Sequence, residues 1–136
     1  MNARSNAETV RAMFDAFARR DMAASAAPLS PEIVWDASRM PIDDLRGVYH
    51  GLGEVAQFWR GWLDAWETVR PGDYEPVEAG DKVFVWLEGQ TNRVRGSGIE
   101  IAQPPYGFVW TFSDGVVTRL DLYMDKGEAM AAAGLD

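Results

Sequence analysis

Asp36 is the side chain whose type and place best suit acid/base chemistry. It ends an extended run, Glu32-Ile33-Val34-Trp35-Asp36-Ala37, whose alternation sets Val34 and Asp36 on one face and Ile33 and Trp35 on the other. A carboxylate held among apolar groups has its pKa raised by desolvation and can remove a proton near neutral pH. The competing reading is a strand-end acid that accepts hydrogen bonds from Ser38 or Arg39. Tyr106 is the best second polar group, because alternation places it with Phe108 and Trp110 and its hydroxyl could orient a carbonyl. Gln90, Thr91 and Tyr49 are further polar candidates without an assigned place, and Asp121 alternates with Tyr123 onto an outer face. His50, in a glycine-flanked loop, reads as structural or exposed. With no cysteine and a single histidine, a disulfide framework, a thiolate site and a histidine-rich metal site are excluded, and no metal or cofactor is expected. Val94-Arg95-Gly96-Ser97-Gly98 lacks the spacing of a phosphate loop and reads as a hairpin turn.

The elements that must position these groups follow from periodicity. Ser5 and Glu8 have capping-box spacing ahead of Val10, Met13, Phe14 and Phe17, which repeat as one helix face. Asp21 can cap a short second helix over residues 22–27, closed by Pro28 and Pro31. The period then changes to that of a strand from Glu32, followed by an irregular stretch to Gly51. Val55, Phe58, Trp59, Trp62, Leu63 and Trp66 predict a third helix, ended by Pro71-Gly72. Strands are predicted over residues 74–79, 83–88, 99–102, 106–112 and 116–124, with Ser113-Asp114-Gly115 as a hairpin turn. Asp125 should cap a C-terminal helix that Gly134 ends.

The chain has 136 residues, the size of one domain, and a single domain over 1–136 is expected. Acidic residues outnumber basic ones by 21 to 13, and the net charge of −8 repels phosphate backbones and anionic lipid, so nucleic acid and membrane are not expected as partners. No stretch approaches the ~20 apolar residues of a membrane helix, and Met1-Asn2-Ala3-Arg4-Ser5-Asn6 has no signal-peptide core, so a cytoplasmic protein is expected. The 6 Trp, 6 Phe and 4 Tyr exceed what so small a core requires, which makes their placement informative.

Taken together, Phe17-Ala18-Arg19-Arg20-Asp21, Ile33-Val34-Trp35-Asp36, Phe58-Trp59-Arg60-Gly61-Trp62, Val109 to Gly115 and the ending from Tyr123 to Leu135 resemble SnoaL-like proteins of the nuclear transport factor 2-like superfamily. The resemblance implies an α+β domain with a cone-shaped, curved, mixed but mostly antiparallel sheet and helices on its concave face. It also matches Asp36 to the general base of ketosteroid isomerases. Met13 and Phe108 stand where those enzymes carry their oxyanion-hole tyrosine and acid, and neither can donate. Leu87, Gly89 and Leu122 stand where epoxide hydrolases carry an Asp-Arg-Asp set. A polyketide-cyclase type of reaction is the least contradicted.

The expected site is an apolar cone lined by Met13, Phe17, Trp59, Trp62, Tyr106, Phe108, Trp110 and Leu122, with Asp36 on its wall as the lone acid and catalytic base. It would hold a small hydrophobic molecule. Two functions remain open: a cofactor-free general acid/base enzyme using Asp36, or a ligand-binding domain without chemistry. Trp66 reads as core. Trp86, Val109, Thr111, Asp121 and Tyr123 are expected on an outer face whose rings are hard to leave wet, which predicts a homodimer through the sheet.

Overall fold

A computed structural model describes residues 5–135; Met1 to Arg4, on which the signal-peptide expectation partly rests, and Asp136 lie outside the described residues. In chain order the elements are α1 (Asn6–Ala18), α2 (Met22–Ala26), β1 (Leu29–Asp36), β2 (Val48–His50), α3 (Gly51–Asp64), β3 (Trp66–Arg70), β4 (Val77–Ala79), β5 (Lys82–Leu87), β6 (Thr91–Val94), β7 (Glu100–Ala102), β8 (Tyr106–Ser113), β9 (Val116–Tyr123) and α4 (Lys126–Ala132). The capping box forms: Ser5 Oγ accepts from Glu8 N at 3.1 Å and Glu8 Oε1 from Ser5 N at 3.0 Å, satisfying two donors that a helix start leaves free. Asp21 and Asp125 cap α2 and α4 through Ala24 N and Glu128 N. Asp114 and Gly115 both have positive φ, the geometry of a two-residue hairpin whose twist matches β8 and β9.

The expected cone is corrected. The sheet does not curl or close on itself: six strands run in the order β2-β1-β9-β8-β5-β4 with open edges, and β3-β6-β7 form a separate three-stranded sheet. The mixed, mostly antiparallel character holds, with β1 parallel to β9 and the other pairs antiparallel. The cause of the split lies between residues 65 and 94. The helix stops at Asp64 and the β-branched Thr68 and Val69 enter β3, which pairs with β6 and not with the main sheet. Trp66 therefore opens a strand; its helical spacing from Trp62 is coincidental.

The helices are also not confined to one face. α1 and α3 bury Val10, Met13, Val55, Phe58 and Trp62 against a face made by Ile33, Trp35, Val83, Val85, Phe108, Trp110, Leu120 and Leu122. On the opposite face, α4 covers Phe84, Val109 and Tyr123 with Ala129 and Ala133, and Trp86 packs against them. This helix already covers part of the face whose exposed rings were the premise for a dimer. β1 also starts earlier than expected, at Leu29, with a register break against β9 between Leu29 and Val34 that accommodates Pro31.

Candidate functional site

Between α1, α2, α3 and the helix-bearing face of the sheet lies a cavity of about 510 Å³, a volume in the usual range for small-molecule sites. Its wall is mostly hydrocarbon. Met13, Phe14 and Phe17 come from α1, Trp59 and Trp62 from α3, Trp35 from β1, and Phe108 and Trp110 from β8. The rings hold one another at the offset and edge-on angles that aromatic quadrupoles favour. Phe17 and Trp59 have centroids 5.0 Å apart, Trp35 and Trp59 5.6 Å, and Phe108 and Trp110 5.6 Å. A second cavity of about 100 Å³ adjoins it, lined by Met40, Pro41, Ile42, Gln103, Pro104, Leu122 and Met124. Trp59, Trp62, Gln90, Tyr106 and Phe108 line both and so form the shared wall.

Two neutral polar side chains stand in that wall. Tyr106 Oη donates to Gln90 Oε1 at 2.6 Å, and Gln90 Nε2 donates to the buried Asn92 Oδ1 at 3.1 Å. Burial pushes the Tyr106 hydroxyl up to about 12, against a smaller downward effect of the Gln90 bond, so at neutral pH it is a proton donor and not a base. Among the described residues lining the main cavity the carboxylate is that of Asp15, an exposed residue of α1, and the cation is Arg60, exposed on α3. Among the described residues no three His, Cys, Asp or Glu side chains come together to hold a metal ion.

Asp36 lies elsewhere, which corrects the expected site. Trp35 faces the cavity, so its neighbour in the strand faces the other way. There the carboxylate accepts from Ser38 N at 3.0 Å and Ser38 Oγ at 2.6 Å, and pairs with Arg119 at 3.2 Å. Arg119 also grips Asp121, which the β1–β9 register places beside Asp36. The expected pKa rise is likewise reversed. Burial favours the neutral acid, but the two Ser38 bonds and the charges of Arg39 and Arg119 outweigh it and hold the carboxyl below its ordinary value. Asp36 is thus an ionised acid held by Ser38 and Arg119, away from the cavity.

The structure places the other sequence-predicted residues on cavity walls: Met13, Phe17, Trp59, Trp62, Tyr106, Phe108 and Trp110 on the main one, and Leu122 on the smaller. Sequence reasoning missed Trp35, Phe14 and Asn92. Trp35 and Phe14 belong to apolar faces already visible in the periodicity, whereas the signal for Asn92 is its position two residues after Gln90, on the same side of an extended chain.

The model of the SnoaL-like domain family matches residues 10–120. The chain belongs to this family. Solved structures with the same SnoaL-like, nuclear transport factor 2-like fold include a protein of unknown function from Burkholderia pseudomallei, 27% identical, with a TM-score of 0.76 over 94% of this chain and 97% of that one. A polyketide cyclase candidate from Pseudomonas putida is 19% identical, with a TM-score of 0.74 over 92% and 95%. TerC, co-crystallised with polyporic acid, is 22% identical, with a TM-score of 0.74 over 93% and 98%. No curated protein matches the sequence. These neighbours share a scaffold with this chain, and a scaffold alone does not carry an activity.

Proposed function

We propose that this SnoaL-like protein binds a small, largely apolar, ring-containing molecule in the cavity between its first three helices and the sheet. The observation that carries the reading is the wall itself: about 510 Å³ enclosed by aromatic and aliphatic side chains, with Tyr106 and Gln90 as neutral polar groups. Apolar surface brought out of water supplies the affinity, and a few fixed polar groups supply orientation. General-base chemistry by Asp36 has no part in it, because that carboxylate is spent on Ser38 and Arg119 on the other face. A protein of the same fold, TerC, was co-crystallised with polyporic acid, which agrees with a scaffold able to take organic ligands.

The test uses 2-ethylnaphthalene, followed by quenching of tryptophan fluorescence. A Kd of about 1–100 μM is expected from the ring surface buried. Ala56→Trp adds bulk at an exposed α3 position on the cavity wall, so it should weaken binding at least tenfold while leaving the fold intact. Equal affinity in the variant, or no binding in the parent protein, would overturn the reading.

A further inference from the structure

Asn92 is wholly buried in β6, yet its Nδ2 has no hydrogen-bond partner. A buried amide in this state is unusual, because stranding a donor away from water costs free energy that a partner would recover. The same amide ends the chain of bonds that starts in the shared wall of the cavities: the Tyr106 hydroxyl donates a hydrogen bond to Gln90 Oε1, and Gln90 Nε2 donates one to Asn92 Oδ1. In that polarity the single hydroxyl proton of Tyr106 is committed, and the hydroxyl offers a ligand lone pairs alone.

Primary amides have nearly the same shape when oxygen and nitrogen change places. Turning both amides over reverses every bond in the chain. Asn92 Nδ2 then donates to Gln90 Oε1, Gln90 Nε2 donates to Tyr106 Oη, and the tyrosine proton is released toward the cavities. The idle amide nitrogen gains a partner, and the Asn92 oxygen loses its own. Neither polarity satisfies every group unaided, so an acceptor supplied at the tyrosine end decides between them.

Resting on the binding reading above, we propose that Tyr106, Gln90 and Asn92 form a reversible hydrogen-bond chain that selects ligands carrying a ketone or quinone oxygen. Such an oxygen can only accept, so it draws the reversed polarity and receives the Tyr106 proton as a hydrogen bond without transfer. A hydrocarbon offers no acceptor and leaves the chain in its resting polarity. The phenol's reluctance to ionise keeps the proton available for donation.

The experiment compares 2-acetylnaphthalene with 2-ethylnaphthalene by calorimetric titration, since the two share a ring system and differ at the carbonyl. The parent protein should bind the ketone about 2–10-fold more tightly, the range for one neutral hydrogen bond. Tyr106→Phe should abolish the preference while still binding the hydrocarbon, and Gln90→Met, which frees the tyrosine, should keep it. If that phenylalanine variant fails to bind either probe, the carbonyl stretch of the ketone in the parent protein decides: a fall in frequency on binding supports donation and an unchanged one overturns it. A preference absent from the parent but present in Gln90→Met would show a chain frozen in its resting polarity and overturn the proposal, as would a preference that survives Tyr106→Phe. Equal binding of the two probes by the parent protein defeats the chain alone, whereas failure of both to bind defeats the binding reading as well.

Discussion

Two side chains carry opposite lessons about what a polar group inside an aromatic-rich protein does. Asp36 is ionised and tied, and its carboxylate bonds stabilise the sheet's outer face. Asp36→Asn should leave ligand affinity within a few-fold of the parent and lower stability at pH 7 by about 1–2 kcal/mol, the scale of charge-assisted hydrogen bonds, as read by urea denaturation. The pH dependence follows from the lowered pKa. The contribution is full above the ordinary carboxylate value of 3.8 and fades as pH falls through the lower folded value, so parent and variant should converge in acid. Tyr106 behaves in the reverse sense. Its proton is held to about 12 in the folded protein against 10.0 for a free phenol, so its contribution is complete below pH 10 and fades between the two values. An absorbance titration should show one tyrosine ionising near that upper value, and Tyr106→Phe should remove it from the titration.

At the level of elements, the sequence was readable wherever a local signal sufficed. The caps at Ser5, Asp21 and Asp125 and the hairpin at Asp114-Gly115 are each set by one or two residues, and each forms. The break after Asp64 was hidden because Trp66 extends the helical spacing of Trp59 and Trp62, and what removes it from the helix is pairing with Val94, a partner 28 residues away. The open sheet was illegible for the same reason, since which strand lies beside which is a tertiary choice. Asp36 teaches something different: alternation opposed it to Trp35, and the strand obeyed alternation over resemblance. One strand contact also sets a close tolerance. A Cβ at Gly107 would meet Val85 O at 2.6 Å and the Trp86 ring at 2.5 Å, so Gly107→Ala should destabilise the β5–β8 pair by about 1–3 kcal/mol, visible as a lower urea midpoint at unchanged slope.

The whole molecule is a two-faced sheet with unlike coverings. One face carries α1 and α3 and leaves a cavity ringed by aromatic side chains; the other carries α4, packed through Ala129 and Ala133 against Phe84, Val109 and Tyr123. The surplus of rings noted from composition is explained by this asymmetry, because the cavity wall needs wide, stiff side chains that hold their positions without being filled in from behind. The six tryptophans divide accordingly: Trp35, Trp59, Trp62 and Trp110 line the cavity, Trp66 borders their cluster, and Trp86 belongs to the opposite face. Their indole N–H resonances in a ¹⁵N-correlated NMR spectrum, followed while 2-acetylnaphthalene is added, test the central claim directly. The account predicts that the signals of Trp35, Trp59, Trp62 and Trp110 move with one common affinity while that of Trp86 stays in place. Movement of Trp86 with the four cavity signals unchanged would contradict it.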